Sequence, residues 1–578
     1  MTNEGDSSMR VVIVGGVAGG MSTATRLRRV DESAQIVVFE RGSDVSYANC
    51  GLPYFVGGVI ADRSSLLLQT PESLHRRFRL DVRVRHEVVA IDRAAKAVRV
   101  HDLESGGEFA QPYDVLVLAV GASSAARATG GIPQRSLRTV DDADAINAEL
   151  ERAQLQRAQR RTRVVVLGAG FTGVEAAENL ARRGAEVALV QRASQVLGAF
   201  DPEMAEPIAQ RLREAGVDVR TGVQATGSRE GRVLLSDGAA LPADLVIDAT
   251  GVSPDVRLAR DAGLALGDTG AIAVDAQQRT SDPSIYAIGD AAEKTDAVTG
   301  LASVVTMAGL ANRHGRMVAD LIGAFAQAGP EQVSPMQARA ERARPAVGTG
   351  IVGVFGLAAA KVGRNERELT AAGIDFYAVH VHPASHAGYY PGSAPLAIKL
   401  LASPEDDRIL GAQLVGEDGV DKRIDVIATA MQGRITAGEL AELELAYAPQ
   451  FGSAKDAVNI AGYVARNTRD GSTPTVQWHE LDDELGRGAT LIDVRTAAEH
   501  QASAIPGAIN LPLDELRDRL DEVPAGAVVV HCQVGQRGHY ATRILRQHGI
   551  DARNLDGGCR TWLAGAGAMG VERERLAA

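Results

Sequence analysis

The sequence predicts an α/β protein of several domains, and three observations carry that prediction. At 578 residues the chain is far too long for one hydrophobic core, so three or four domains are expected. Two segments roughly 150 residues apart repeat one layout of strand, Gly-rich turn, helix and strand. A further α/β pattern of about one hundred residues follows a polar stretch near the C-terminus.

The first repeat is VVIVGGVAGG (11–20), a helical stretch to Val30, then IVVFE (36–40). Gly15, Gly19 and Gly20 permit a tight turn and close helix–strand packing, which lets a pyrophosphate rest on the helix N-terminal amides. Val17 stands where the middle glycine of the usual pattern would be. Glu40 ends the second strand, where an acid binds a ribose 2′-hydroxyl.

The second repeat, VVVLGAGFTG (164–173) followed by VALVQ (187–191), carries a complete GxGxxG in Gly168, Gly170 and Gly173. Gln191 takes the place of Glu40 and Arg192 follows it, so both NADH and NADPH stay open. DVLVLAVGA (114–122), ADLVIDATG (243–251) and SIYAIGDAA (284–292) imply that the second dinucleotide domain is inserted into the first. Asp290, beside Gly289 after a buried strand, is placed to bind a second polyhydroxyl chain.

Composition narrows the function classes. A net charge of −12 argues against a general nucleic-acid binder, which needs basic surface to displace counterions. No apolar run approaches the ~20 residues that cross a bilayer, so no membrane partner is expected. The polar N-terminus, MTNEGDSSMR, lacks the apolar core of a secretory leader, and a cytoplasmic protein is expected. Three cysteines, Cys50, Cys532 and Cys559, without a CxxC pair, make neither a disulfide framework nor a zinc site, and no metal is expected.

Each cysteine therefore stands alone. Cys50 is followed by Gly51, Leu52, Pro53 and Tyr54, so it must react through a mixed disulfide, a persulfide or a sulfenic acid. It precedes a short helix-like run, and helix N-terminal amides lower a thiol pKa. Cys532, in VVVHCQVGQRG (528–538), ends a buried strand before a Gly-containing loop, Gln533 to Gly538, whose backbone amides form a nest for an anionic sulfur. Gln533, Gly535 and Gly538 belong to that loop, and Arg537 adds positive charge. Asp493 and Arg495 are read as loop supports, and Cys559 as a bystander.

SYANCGLPY (46–54), HAGYYPG (386–392), GVDKRIDV (419–426) and YAPQFGSAKD (447–456) resemble the coenzyme A-disulfide reductases, a single-cysteine branch of the pyridine nucleotide-disulfide oxidoreductases. The resemblance covers residues 9–465, and the tail resembles a single-domain rhodanese. It implies a discontinuous FAD domain (9–115 and 252–329), an NAD(P)H domain (116–251), an α+β dimerisation domain (330–465), a linker (466–475) and a rhodanese domain (476–578).

The resemblance also implies a homodimer whose partner subunit supplies Tyr389 and Tyr447 to the Cys50 site, with Tyr390 adjacent. It maps coenzyme A ligands onto Ser22, Arg26, Arg29, Ser46, Asn49, Asn312 and Lys455. Arg26 and Arg29, one turn apart, share a helix face. Cys532 becomes a sulfur acceptor. The implied activity is FAD-dependent NAD(P)H reduction of a coenzyme A disulfide, persulfide or polysulfide, coupled to sulfur transfer. Two other functions are weighed: an NADH oxidase or peroxidase cycling Cys50 through sulfenic acid, and a sulfur carrier or sensor.

Overall fold

The computed structural model describes residues 8–124, 131–156, 160–328 and 342–569. The N-terminal extension over 1–7 and the expected domain boundary at 329–330 lie outside them. The chain forms two compact units, one from the described residues of Met1–Gly168, Asn179–Ala188 and Ala225–Ala346, the other from Ala169–Glu178, Leu189–Gln224 and Val347–Ala578.

In the first unit, five parallel strands lie in the order Ile285–Ala287, Val115–Leu118, Arg10–Val14, Gln35–Phe39, Asp81–Arg83. Their β-branched runs are continuous because both faces are covered, with Val11, Ile13 and Val117 fully buried. Val12 pairs with Val37 on one side and Leu116 on the other. Helix Ala18–Val30 packs against helix Ala308–Ala328. The chain leaves this sheet after Leu118 and returns at Ile285. The intervening strands Gln134–Ser136, Leu245–Asp248 and Arg163–Leu167 pair in parallel.

The second unit holds an antiparallel sheet in the order Gly350–Val354, Leu357–Gly363, Ile409–Gly416, Leu396–Ala402, Tyr377–Val381. One face, including Val379, Ile398, Leu400 and Leu414, packs against helices Val420–Gly433 and Ala457–Arg469. On the other face His380 lies beside Lys399 and Lys399 beside Gln413, a polar row across three strands. This row is buried because helix Pro202–Glu214 brings Asp201 and Glu203 onto it. Gln413 donates to Asp201 at 2.6 Å, and Lys399 is paired with Asp201 at 2.9 Å, Glu366 at 2.8 Å and Glu203.

The C-terminal region, also in the second unit, is a parallel sheet in the order Thr475–Val476, Ala552–Leu555, Val528–His531, Thr490–Asp493, Ile509–Asn510. Its helix Gly558–Ala568 packs on helix Pro202–Glu214. His380 closes the arrangement, reaching Asp556 at 2.7 Å through Nδ1 and Glu203 at 3.0 Å through Nε2. The expected second nucleotide domain is consequently shared between the two units, since Asp201 and Glu203 anchor its helix within the second.

The expected 466–475 linker differs in the structure. Helix Ala457–Arg469 takes in its first four residues, capped by Asp456, because Asn467, Thr468 and Arg469 fit a helix end as well as a loop. Gly471, at φ +69°, then turns the chain. The remainder is pinned: Thr473 is buried and its hydroxyl meets His539 Nδ1 at 2.8 Å, and Arg543 donates to the Ser472 carbonyl at 2.6 Å. Among the described residues no helix is long and apolar enough to cross a membrane.

Burial alone would depress the His380 pKa, but its hydrogen bonds to Asp556 and Glu203 outweigh that and push it up to about 9. A histidine so raised contributes stability fully below its ordinary pKa of ~6.5, and that contribution is lost as pH rises through the folded value. Thermal stability should therefore fall between pH 7 and 10 more steeply in the wild type than in His380→Gln. His380→Ala should cost about 3 kcal/mol or more, since it strands two buried carboxylates. Urea unfolding, with limited proteolysis at 470–474, measures both.

Candidate functional site

The structure places the sequence-derived residues at three centres: paired Gly-rich turns, the Cys50 segment and the Cys532 loop. Gly15 has φ +104° and Gly168 φ +93°, and at each a Cβ would collide with the carbonyl of a neighbouring strand's end, Ala119 and Ala249 respectively. Only glycine fits there. Gly19 and Gly20 are buried in the first turn of helix Ala18–Val30; Gly173 is buried and Gly170 exposed around the start of helix Phe171–Arg182.

The two turns share a further feature. Glu40 accepts from the Gly16 N–H at 2.8 Å and the Gly42 N–H at 2.8 Å. Gln191 accepts from the Ala169 N–H at 3.1 Å, the equivalent amide of its own turn. Both side chains are thus held where a ribose would approach, and Arg192 is exposed beside Gln191. A cleft in the first unit is lined by Gly15, Glu40, Phe39, His86 and Asp255. Open backbone, a carboxylate at the strand end and this cleft fit a dinucleotide.

Asp290 lies in the short turn Gly289–Ala291, its carboxyl pushed up by burial and partly restored by Lys294. The sequence reading missed Lys294. Its buried ammonium donates to the carbonyls of Gly289 and Ala292, locking that turn from below, and burial pushes its pKa down to about 8. A lysine just past the GDAA string was the available signal.

Cys50 is exposed, in the turn Asn49–Gly51. The helix after it, Leu52–Val56, has only five residues, too short for the thiolate-stabilising dipole that the sequence suggested. What holds the segment is Ser46, at φ +49°, whose N–H donates to Gly16 O and whose carbonyl accepts from Leu68 N–H. The reactive-type thiol is thereby tied to the first Gly-rich turn. Ser22 donates to Asn312 at 2.8 Å, both near the exposed surface. Arg26 is paired with Asp320, whereas Arg29 is exposed; the shared face does not leave two equivalent guanidinia.

In the second unit, the Tyr389 and Tyr447 hydroxyls meet at 2.8 Å although the side chains are 76% and 49% exposed. That hydrogen bond raises the Tyr389 pKa. Phe451, in the turn after Tyr447, is exposed as well, which suits this stretch to contact with another subunit. Tyr390 turns instead onto the buried His386, edge to face at 5.7 Å. Lys455 is exposed, next to Asp456, which caps its helix and binds the buried Arg423 at 2.8 Å.

Around Cys532 the sheet and loop act together. The thiol-bearing residue is 1% exposed at the end of strand Val528–His531. Among the described residues the N–H groups of Gln533 to Gly538 donate to no carbonyl or side-chain oxygen, so they remain for an anion. The Asn554 side chain fixes the Gly535 carbonyl at 3.2 Å. Arg495 spends its guanidinium on Asp493, the Ser503 carbonyl and the Gln533 side chain, a support role. Cys559 is buried, its thiol pKa raised by that burial, and it meets Cys532 through its backbone N–H at 2.8 Å. Arg537 is clamped by Glu499, a residue the sequence reading passed over although TAAE (496–499) spells a capping box.

Comparison with known proteins adds the following. The family described as "Pyridine nucleotide-disulphide oxidoreductase" matches residues 9–315, its dimerisation domain residues 350–458, and a "Rhodanese-like domain" residues 477–565. Coenzyme A disulfide reductase of Staphylococcus aureus (strain JH9) is 33% identical over 457 residues, 79% of this chain and 100% of its own. The crystal structure of reduced Bacillus anthracis CoADR-RHD has a TM-score of 0.91 at 42% identity and covers 99% of both chains. An NAD-dependent persulfide reductase from A. fulgidus has a TM-score of 0.86 at 35% identity, covering 96% of this chain and 100% of that one.

Gly15→Ala should weaken flavin retention by about 3 kcal/mol or more, because it adds a strained φ to a backbone collision. The visible flavin absorbance per purified chain checks this.

Proposed function

Because the chain belongs to the pyridine nucleotide-disulphide oxidoreductase family, we propose that it is an FAD-dependent NAD(P)H reductase of coenzyme A disulfide, persulfide or polysulfide, coupled to rhodanese-type sulfur transfer. The observation that carries this reading is the lone exposed Cys50, tied through Ser46 to the Gly15–Gly16 turn, while the other two cysteines are buried.

In this reading Gly15, Gly19, Gly20, Glu40 and Asp290 hold FAD, and Gly168, Gly170, Gly173 and Gln191 hold NAD(P)H. Together these cofactors supply two electrons. The Cys50 thiolate attacks one sulfur of the substrate, the S–S bond breaks, and the first thiolate leaves; a new S–S bond joins Cys50 to the remaining half. Two electrons then cleave that bond, freeing the second thiol and regenerating Cys50. On a persulfide one of the two products is hydrosulfide.

Tyr389 and Tyr447 of the partner subunit supply the proton to the leaving thiolate. The two hydroxyls, joined by their mutual hydrogen bond, both carry a proton at neutral pH. Coenzyme A is held by Ser22, Arg26, Arg29, Ser46, Asn49, Asn312 and Lys455, with its phosphates drawing on the arginines and the lysine. Arg26 exchanges Asp320 for phosphate. The protein acts as a homodimer, and a chain whose three cysteines form no disulfide suits the reducing cytoplasm.

The Cys532 loop accepts or delivers sulfane sulfur. The rhodanese match over 477–565 speaks against a simple NADH oxidase, which has no use for it.

Cys50→Ser should reduce NAD(P)H-dependent disulfide and persulfide reduction by about a thousandfold or more, while sulfur transfer to cyanide persists. Cys532→Ser should do the reverse. Anaerobic NAD(P)H oxidation against each substrate measures the first, and thiocyanate formation the second. Full reductase activity in Cys50→Ser would remove the proposed mechanism.

A further inference from the structure

The charges that surround Cys532 are almost fully cancelled. Arg537, in the first turn of the helix that follows the Cys532 loop, interacts electrostatically with the Cys532 side chain. It is also bound two-pronged by Glu499, at 2.8 and 2.6 Å. Glu499 cannot easily swing away, because its carboxylate also accepts from the Thr496 N–H at 3.0 Å and the Thr496 hydroxyl at 3.0 Å. These bonds close the capping box of helix Ala497–Ala502. Arg495, deeper in the site, is matched by Asp493, which His500 also contacts. His531, before the cysteine, is buried, and that burial pushes its pKa down to about 4, so it is neutral. Arg560 has no carboxylate partner among the described residues, and its charge is felt at His382.

We infer that Glu499, by neutralising Arg537, makes the Cys532 loop select thiol persulfides over thiosulfate as sulfur donors. This rests on the proposed reading of Cys532 as a sulfur acceptor. The two donors differ in charge at the reacting centre. With a persulfide anion, the Cys532 thiolate attacks the outer sulfur, the donor S–S bond breaks and a thiolate leaves. Cys532 then carries the transferred sulfur as a persulfide anion, and two negative charges are present throughout. With thiosulfate the same attack expels sulfite dianion, and three negative charges crowd the loop. The six loop amides serve both donors equally. The third charge calls for an uncompensated cation, and a guanidinium already paired with a carboxylate does not provide one.

The test uses the full-length flavoprotein with cyanide as acceptor, comparing thiosulfate with glutathione persulfide. Wild type should show kcat/KM for the persulfide about tenfold or more above that for thiosulfate. Glu499→Gln keeps the capping geometry, since glutamine also fits that position. It should raise kcat/KM for thiosulfate about tenfold, mostly through KM, and change that for the persulfide by less than about threefold. Glu499→Asp, which keeps the charge, should stay close to wild type. Equal use of both donors by the wild type would overturn the inference, as would a Glu499→Gln that loses activity toward both, since Glu499 would then only order Arg537. Cys532→Ser separates the underlying reading: undiminished transfer from either donor in that variant would overturn the role of Cys532 itself.

Discussion

Lys399 is fully buried, and an ammonium in that position is tolerable only because three carboxylates converge on it. Desolvation by itself would strip its proton, but Glu203, Asp201 and Glu366 hold its pKa above the ordinary lysine range. Those partners come from helix Pro202–Glu214 with its N-cap Asp201 and from the first residue of helix Glu366–Ala371, and the lysine from the middle of a sheet. Glu203 then shares His380 with Asp556, from the C-terminal region. Removing any one member leaves an uncompensated charge in the interior, so the group specifies how the pieces of the second unit fit together. It is an interior that an apolar core would hold as strongly but with less geometric definition.

The chain between helix Ala457–Arg469 and strand Thr475–Val476 is short and bonded to the rhodanese-like region through Ser472 and Thr473. The Cys532 loop is therefore presented by a fixed body of the second unit. Around that loop the same economy of charge applies, with Asp493 assigned to Arg495 and Glu499 to Arg537. The three thiols divide by environment: Cys50 is exposed, Cys532 is buried at the end of its strand, and Cys559 is packed among apolar side chains.

Much of this was legible in the sequence because the signals are local. A glycine that must sit at positive φ beside a neighbouring carbonyl leaves its mark at one position, and both Gly15 and Gly168 were read correctly as turn residues. The runs VVIVG and VVVLG announced parallel strands because strands buried on both faces need apolar residues throughout. Cys50 and Cys532 stood out because so few cysteines compete with them. Less legible was the role of short helices: the run after Cys50 looked helical, and it is, but for five residues only. TAAE (496–499) escapes a sequence reading although its first and last residues cap a helix and the last one clamps Arg537.

The sequence by itself determined the βα turns and singled out Cys50 and Cys532 as the two candidate sulfur residues, since each rests on features within a few residues of chain. Only the tertiary structure decided which charges cancel. Glu203 meets His380 across 177 positions, and Arg537 meets Glu499 across 38. Arg26 meets Asp320 across 294. Electrostatic energy depends on separation in space, which the spacing of charges along a chain does not encode.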